Sequence, residues 1–307
     1  MTSLPQRVIR KLRERRFAAA ARAVLATPPL RATDDGVVLF SMIGTRVLLP
    51  YLVAVKSLHA RLRRGRVVIL DDGTLTPADK AVLAEHLGDP RIIPIAAVDT
   101  GACPRGGTWE RLLTIMDLRR TDYVIQLDSD TVTLGPVEDV GEAIAHGHCF
   151  TLRGERNARI QPLAEIVAWW AEDGREGRHH VQSTIEQVMD QVCIPGRTDL
   201  HYVRGCSGFA GFAPAPSGRE LAEAFSAEAI RLMGQARWAE WGSEQVTSNF
   251  VVANEPSSVL LPYDRYTNFW NTPVGPDMRF VHFIGTFRYH GGAYLRAVRQ
   301  AIAQLRG

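Results

Sequence analysis

The sequence predicts an α/β fold with a mainly parallel central sheet flanked by helices, and three observations carry that prediction. Short apolar runs alternate with helix-sized segments from Gly36 to about residue 130. The runs, such as Val67-Val68-Ile69-Leu70, are strand-sized and read as buried. With 307 residues and 46% hydrophobic content, the chain can fill the core of one large domain or two small ones.

Residues 37–40 form the first strand, 49–62 a helix and 67–70 the second strand. Thr76-Pro77-Ala78-Asp79 then supplies an N-cap, a proline at the first helical position and an acid in the first turn, and Gly88 closes that helix after Leu87. Residues 92–95 are a third strand. Trp109, Leu112, Leu113 and Met116 have helical spacing, and residues 123–127 are a fourth strand. This alternation places functional residues at the carboxyl ends of the strands. Beyond residue 150 it weakens into helical pieces at 163–171, 181–192, 219–233 and 292–305, joined by Gly- and Pro-rich turns.

Several classes are excluded. No apolar run approaches the roughly 20 residues that cross a bilayer, and no secretory signal is legible in the first thirty residues. Cys103, Cys149, Cys193 and Cys206 are scattered without a Cys-x-x-Cys pair, which argues against a disulfide scaffold or thiolate zinc site and for a cytoplasmic protein. Residues 1–31 hold eight basic residues against Glu14, a local charge of +7, so the rest carries −4 within an overall +3. A basic tag on an acidic body is a poor nucleic-acid groove, and none is expected as a partner. Residues 5–26 read as a basic helix with a stripe of Val8, Ile9 and Leu12, broken by Thr27-Pro28-Pro29. Such a helix packs on the domain or a partner, or lies on an anionic inner-membrane surface. Arg at nearly every basic position fits a GC-rich bacterial genome.

The strongest chemical signal is Tyr-Val-Ile-Gln-Leu-Asp-Ser-Asp-Thr at 123–131, a buried strand running into Asp128 and Asp130. Alternate residues of an extended segment face the same way, so both carboxylates reach one cation beyond the strand end. Further ligands are then needed, and hard oxygens with one imidazole suit manganese or magnesium. His282 is the candidate, and Gly285, Thr286 and Arg288 after it offer close backbone approach and a fixed charge for a diphosphate. His146, His148 and His179-His180 read as solvated loop residues. Gly205, Gly208 and Gly211 lack the dinucleotide-binding spacing. Trp238, Trp241 and Trp270 read as packing residues or as platforms for a sugar acceptor.

These motifs resemble the GT-A glycosyltransferases, in particular glycosyltransferase family 8, from about Val37 to Tyr289. Asp128 and Asp130 match the family's metal-binding Asp-x-Asp, Arg111 its arginine ahead of that strand, and His282, Gly285 and Arg288 its His-x-x-Gly-x-x-Lys. Cys206-Ser207-Gly208-Phe209 is similar to its Asn-Ser-Gly turn, and Ser243-Glu244-Gln245 followed by Asn249 to its Asp-Gln segment. Leu70-Asp71-Asp72-Gly73 resembles the base-binding strand end of another GT-A group. Cys206 stands where the family has Asn, Arg288 where it has Lys, and Tyr289-His290 where Pro-Trp follows.

The resemblance implies a single GT-A domain at 32–307, with a nucleotide-binding half at 32–150 and an acceptor half at 151–307 preceded by the basic extension 1–31. It implies manganese or magnesium on Asp128, Asp130 and His282, and a nucleotide-sugar donor, UDP-linked, on Asp72, Arg111, Asp128, Ser129, Gly285 and Arg288. The acceptor is a glycan or glycolipid hydroxyl. Retention with Gln245 at the reacting sugar is implied, and Glu244 as a base for inversion stays open. Two alternatives remain. One is a non-catalytic nucleotide- or glycan-binding protein of the same fold. The other is a haloacid-dehalogenase-like phosphatase built on Asp71-Asp72-Gly73-Thr74, although that register puts Leu70 at the nucleophile position.

Overall fold

The structure, a computed structural model, describes residues 4–173, 180–285 and 287–307; His179, Thr286 and residues 1–3 of the basic extension lie outside the described residues. The fold class is the predicted one, α/β with a mainly parallel sheet flanked by helices. In chain order the elements are α1 (Leu4–Ala21), β1 (Val37–Ile43), α2 (Leu48–Leu62), β2 (Arg66–Asp71), α3 (Pro77–Leu87), β3 (Arg91–Pro94), α4 (Trp109–Leu118), β4 (Tyr123–Leu127), β5 (Thr131–Thr133), α5 (Glu138–His146) and β6 (Cys149–Arg153). There follow β7 (Gln161–Pro162), α6 (Leu163–Asp173), α7 (Val181–Glu186), β8 (His201–Tyr202), β9 (Gly205–Phe212), α8 (Glu220–Met233), α9 (Gln235–Trp238), α10 (Ser243–Ala253), β10 (Ser258–Leu260), β11 (Tyr266–Asn268), β12 (Phe280–His282) and α11 (Ala293–Leu305).

The chain forms two compact units. The first comprises the chain to Pro94, Ile125–Glu142 and Leu261–Gly307. Its strands run in the order β4-β1-β2-β3. β1 and β2 pair in parallel from Val38↔Arg66 to Ile43↔Asp71, and β2 and β3 pair in parallel as well. The order reverses between β1 and β4, the position at which doubly wound sheets open a ligand crevice. Val37 to Phe40 and Val67 to Leu70 are all buried, which is why these strands read as continuous apolar runs.

α3 begins as its sequence predicts. Thr76 Oγ1 accepts from the Asp79 N–H at 3.2 Å, and Asp79 Oδ2 accepts from the Thr76 N–H at 2.9 Å. This reciprocal cap contributes on the order of 1 kcal/mol. Gly88 closes the helix at φ 71°, a left-handed conformation that favours glycine. α1 packs through Phe17, which stacks on Tyr294 at 4.2 Å and meets Tyr289 edge-on at 5.4 Å. It passes into a 3-10 turn at Arg22–Ala26, and Thr27 ends it in extended backbone. Ile9 and Leu12 of the predicted apolar stripe are not packed; they are 48% and 50% exposed. A second sheet, β11-β12-β5, belongs to the same unit.

The second unit comprises Ile95–Val124 and Ala143–Leu260. Here β10 pairs with β6 in parallel and β6 with β9 in antiparallel register. Two expectations change in this unit. Cys206-Ser207-Gly208-Phe209 is not a turn but lies inside β9. The small residues serve close approach within the sheet: a Cβ on Gly211 would sit 2.2 Å from the Phe150 ring. The helix expected over 181–192 stops at Glu186 and resumes as a 3-10 turn at Met189–Gln191, because Val188 leaves the helical region at φ −130° while Ile185 and Met189 are both fully buried. Trp238 is core, packed on Phe225 and Trp109, whereas Trp241 is 73% exposed. Among the described residues no helix is long and apolar enough to cross a membrane.

Candidate metal centre and donor-binding residues

β4 ends at Leu127 and the chain turns at once. Asp128 carbonyl oxygen accepts from the Thr131 N–H at 3.3 Å and from Thr131 Oγ1 at 2.9 Å, and the chain continues as β5. β12 lies antiparallel to β5 with His282 opposite Thr131, and the Phe283 N–H donates to the Asp130 carbonyl at 2.8 Å. Strand pairing therefore brings His282 to the two aspartates. One ligand atom from each of Asp128, Asp130 and His282 lies within 4.8 Å of the others. His282 Nε2 is 3.3 Å from Asp130 Oδ1 and 3.7 Å from Asp128 Oδ2.

The other ring nitrogen is fixed by a residue that sequence reasoning did not single out. His282 Nδ1 donates to Asn268 Oδ1 at 2.9 Å, because β11 pairs with β12 in a register that sets Asn268 beside His282. That bond leaves the Nε2 lone pair for a cation, the arrangement that orients metal-binding histidines. Two carboxylates and one imidazole form a donor set suited to manganese or magnesium. The residues present fit such an ion.

Charge on Asp130 is set by opposing effects. Burial disfavours the carboxylate, but His282, when a proton in place of a cation sits on its Nε2, and the Arg288 guanidinium hold the Asp130 carboxyl below its ordinary range. Arg288 donates from Nη2 to Asp130 Oδ2 and from Nε to the Phe283 carbonyl at 3.1 Å. Burial disfavours its charge too, but Asp130 together with Tyr294 and Tyr289 outweighs this, so Arg288 titrates above the ordinary arginine value. Gly285 is exposed, and a Cβ added to it would meet no atom within 4 Å. Ser129 lends its carbonyl to the Tyr294 hydroxyl at 3.5 Å.

Asp72 lies past the end of β2. Its Oδ1 accepts from the Thr74 N–H at 3.0 Å and from Thr74 Oγ1 at 2.6 Å, an Asx-turn that fixes the side chain. A Cβ on Gly44 would sit 2.2 Å from that Oδ1. Gly44 is thus the residue that lets Asp72 lie over the end of β1. Asp71, by contrast, is buried and committed to Lys80 at 2.9 Å and to the Gly73 N–H at 2.9 Å.

The remaining predicted residues gather in the second unit. Arg111 Nη2 donates to Glu244 Oε2 at 2.9 Å and to Ser207 Oγ at 3.2 Å. Thr108 Oγ1 also donates to Glu244 Oε2, at 2.9 Å, and Trp109 Nε1 donates to Ser243 Oγ at 2.8 Å. Gln245 Oε1 accepts from the Ser207 N–H at 3.4 Å. Thr108 holds a left-handed φ of 76°, uncommon for threonine, at the residue that caps α4. Nothing in the sequence marks Thr108, and Ser243 stands out only as the first residue of the Ser243-Glu244-Gln245 motif, because the contact joins the N-termini of α4 and α10, more than 130 residues apart.

No protein-family model matches the chain, and no curated protein matches it in sequence. Its structure is similar to those of glycosyltransferases. An active-site mutant of LgtC matches with a TM-score of 0.53 at 13% identity, over 87% of this chain and 95% of that one. The galactosyltransferase LgtC in complex with donor and acceptor sugar analogues matches with a TM-score of 0.50 at 12% identity, over the same shares. The apo bifunctional glycosyltransferase WbbM matches with a TM-score of 0.50 at 12% identity, over 91% of this chain. This chain spans about half of WbbM, 53% of its length. At these identities the likeness is one of fold, and the fold is the GT-A one.

Proposed function

We propose that residues 32–307 transfer a sugar from a nucleotide-sugar donor, UDP-linked, to a glycan or lipid-linked acceptor hydroxyl in the cytoplasm, with a divalent ion bound. The observation that carries this reading is the convergence of Asp128, Asp130 and His282 at the end of β4, with Arg288 against Asp130. Family 8 of the GT-A enzymes is the branch whose motifs these residues match. The complex of LgtC with donor and acceptor analogues supports the two-substrate reading.

Asp128, Asp130 and His282 would hold manganese or magnesium, which when bound supplies Lewis-acid compensation for the charge that builds on a departing nucleoside diphosphate. Arg288 adds a fixed cation to the same anion. Its planar fork can engage two phosphate oxygens where the family's lysine offers a point charge. Gly285 leaves room beside it for the diphosphate, and Asp72, fixed by Thr74, is the candidate contact for the base.

Glu244 is buried and its carboxylate is held by Arg111 and Thr108, which suits a positioning role more than a general base. Gln245, anchored through Ser207, then serves the reacting sugar, in keeping with retention. Arg111 orders both residues.

Calorimetric titration of UDP with manganese, and again with chelator, tests the reading. Metal-dependent binding that Asp130→Ala abolishes, with an unchanged melting profile, is the expected result. Chelator-insensitive binding, or binding retained by that variant, overturns it. A preference for GDP would keep the metal centre and change the donor.

A further inference from the structure

We infer that the face shared by α1 and α11 is a docking surface for an anionic phospholipid bilayer. This rests on surface observations in the first unit and not on the glycosyl-transfer reading. Ile9, Leu12, Arg16, Ala19, Ala20 and Ala23 recur at helical spacing along one side of α1 and the turn that follows it. Phe17 and Ala21 are buried on the other side. Ile9 and Leu12 are two of the four large hydrophobic residues exposed among the described residues.

The same side of α1 forms a groove of about 660 Å³ with α11, floored by Ala19, Ala20, Ala23, Leu295 and Ile302 and edged by Arg16, Arg299 and Arg306. Arg306 bonds the Ala23 carbonyl at 3.1 Å, while Arg16 and Arg299 have no ion-pair partner among the described residues.

Charge identifies the occupant. α1 carries six basic residues against Glu14 alone, and α11 carries Arg296 and Arg299, with Arg306 next to it, and no acid. A second copy of the chain seated on this face by two-fold symmetry would set like charge against like. An anionic lipid surface complements the arginines, and its acyl boundary accepts Ile9, Leu12 and the alanine floor.

The test is co-sedimentation of the full chain with vesicles of phosphatidylcholine alone and of phosphatidylcholine mixed with phosphatidylglycerol. The protein should pellet with the anionic vesicles only, and less as ionic strength rises. Arg16→Gln and Arg299→Gln should each weaken binding about fivefold. The double variant Ile9→Ser, Leu12→Ser should weaken it roughly tenfold. All of these positions are exposed or line the groove, so melting profiles should match the wild type. Failure to bind anionic vesicles, equal binding to neutral ones, or full binding by the Ile9/Leu12 variant would overturn the assignment. So would a self-association in sedimentation velocity that the same substitutions abolish.

Discussion

Asn268 and His282 face each other across the β11–β12 pairing, and the 2.9 Å bond from His282 Nδ1 to Asn268 Oδ1 decides which imidazole nitrogen is left for a cation. The consequence is measurable. Asn268→Ala should weaken manganese binding by about 10–100-fold, the usual effect of losing a partner behind a metal-binding histidine. Asn268→Asp, which keeps the acceptor, should retain most of the affinity. Calorimetric manganese titration of both variants checks this, and equal affinity for wild type and alanine variant would refute it.

Gly285→Ala separates binding from folding. The residue lies outside the left-handed region and an added Cβ meets nothing within 4 Å, so stability should hold or rise by about 0.5 kcal/mol. Donor affinity should still fall if the diphosphate passes close to this backbone. A melting curve and a UDP titration on the same preparation read the two effects independently.

The Arg111–Glu244 pair is buried, with side chains 9% and 2% exposed. Glu244→Ala leaves the guanidinium without its carboxylate and should cost about 3–5 kcal/mol. Replacing both, as in Arg111→Met with Glu244→Leu, should recover a large part of that loss, because desolvation of the charges is then removed as well. Denaturant unfolding of Arg111→Met, of Glu244→Leu and of the double variant completes the cycle. Additive losses would show that the pair is not coupled.

Lys56 provides a pH test. It is 2% exposed, donates to the Thr27 carbonyl at 3.3 Å and to His86 Nδ1 at 3.1 Å, and burial lowers its ammonium from 10.5 to about 8, with Glu85 pulling the other way. Below pH 8 the amine is charged in both states and the folded chain bears the whole desolvation cost. Between about 8 and 10.5 only the unfolded chain holds the proton, so this group makes stability rise with pH across that window. Lys56→Met should therefore raise stability at pH 7 by on the order of 1–3 kcal/mol after loss of the two hydrogen bonds. That advantage should shrink as pH passes 8. Thermal melts at pH 7 and pH 9.5 check the sign.

What the sequence made legible was what local chemistry determines. The run 67–70, the Thr76–Asp79 cap and Gly88 each write their structure into adjacent residues, and the strand-to-carboxylate junction at Leu127–Asp128 exposed two of the three residues of the candidate metal centre. His282 was legible because glycine and a cation follow it at short range. Asn268 was not: β11 is only three residues long, and its value lies in a register with a strand 14 positions away. Thr108 escaped for the same reason, since it matters only where the N-termini of α4 and α10 meet. The stripe at Ile9 and Leu12 was visible as helical periodicity, but periodicity alone does not tell a face that packs inward from one left open.

Arg288 and Asp130 are 158 residues apart in the chain, and β5 waits nearly as long for β12. During synthesis on the ribosome, Asp128, Asp130 and β5 emerge well before His282, Arg288 and the strand β12 that pairs with β5. Contiguous segments fold as they appear, but this unit stays open until its final segment, Leu261–Gly307, arrives. A message cut short ahead of Phe280 would leave β5 without its partner and the carboxylates without His282 and Arg288. Such a product should be a target for chaperones and proteases, not a folded protein with a weakened site.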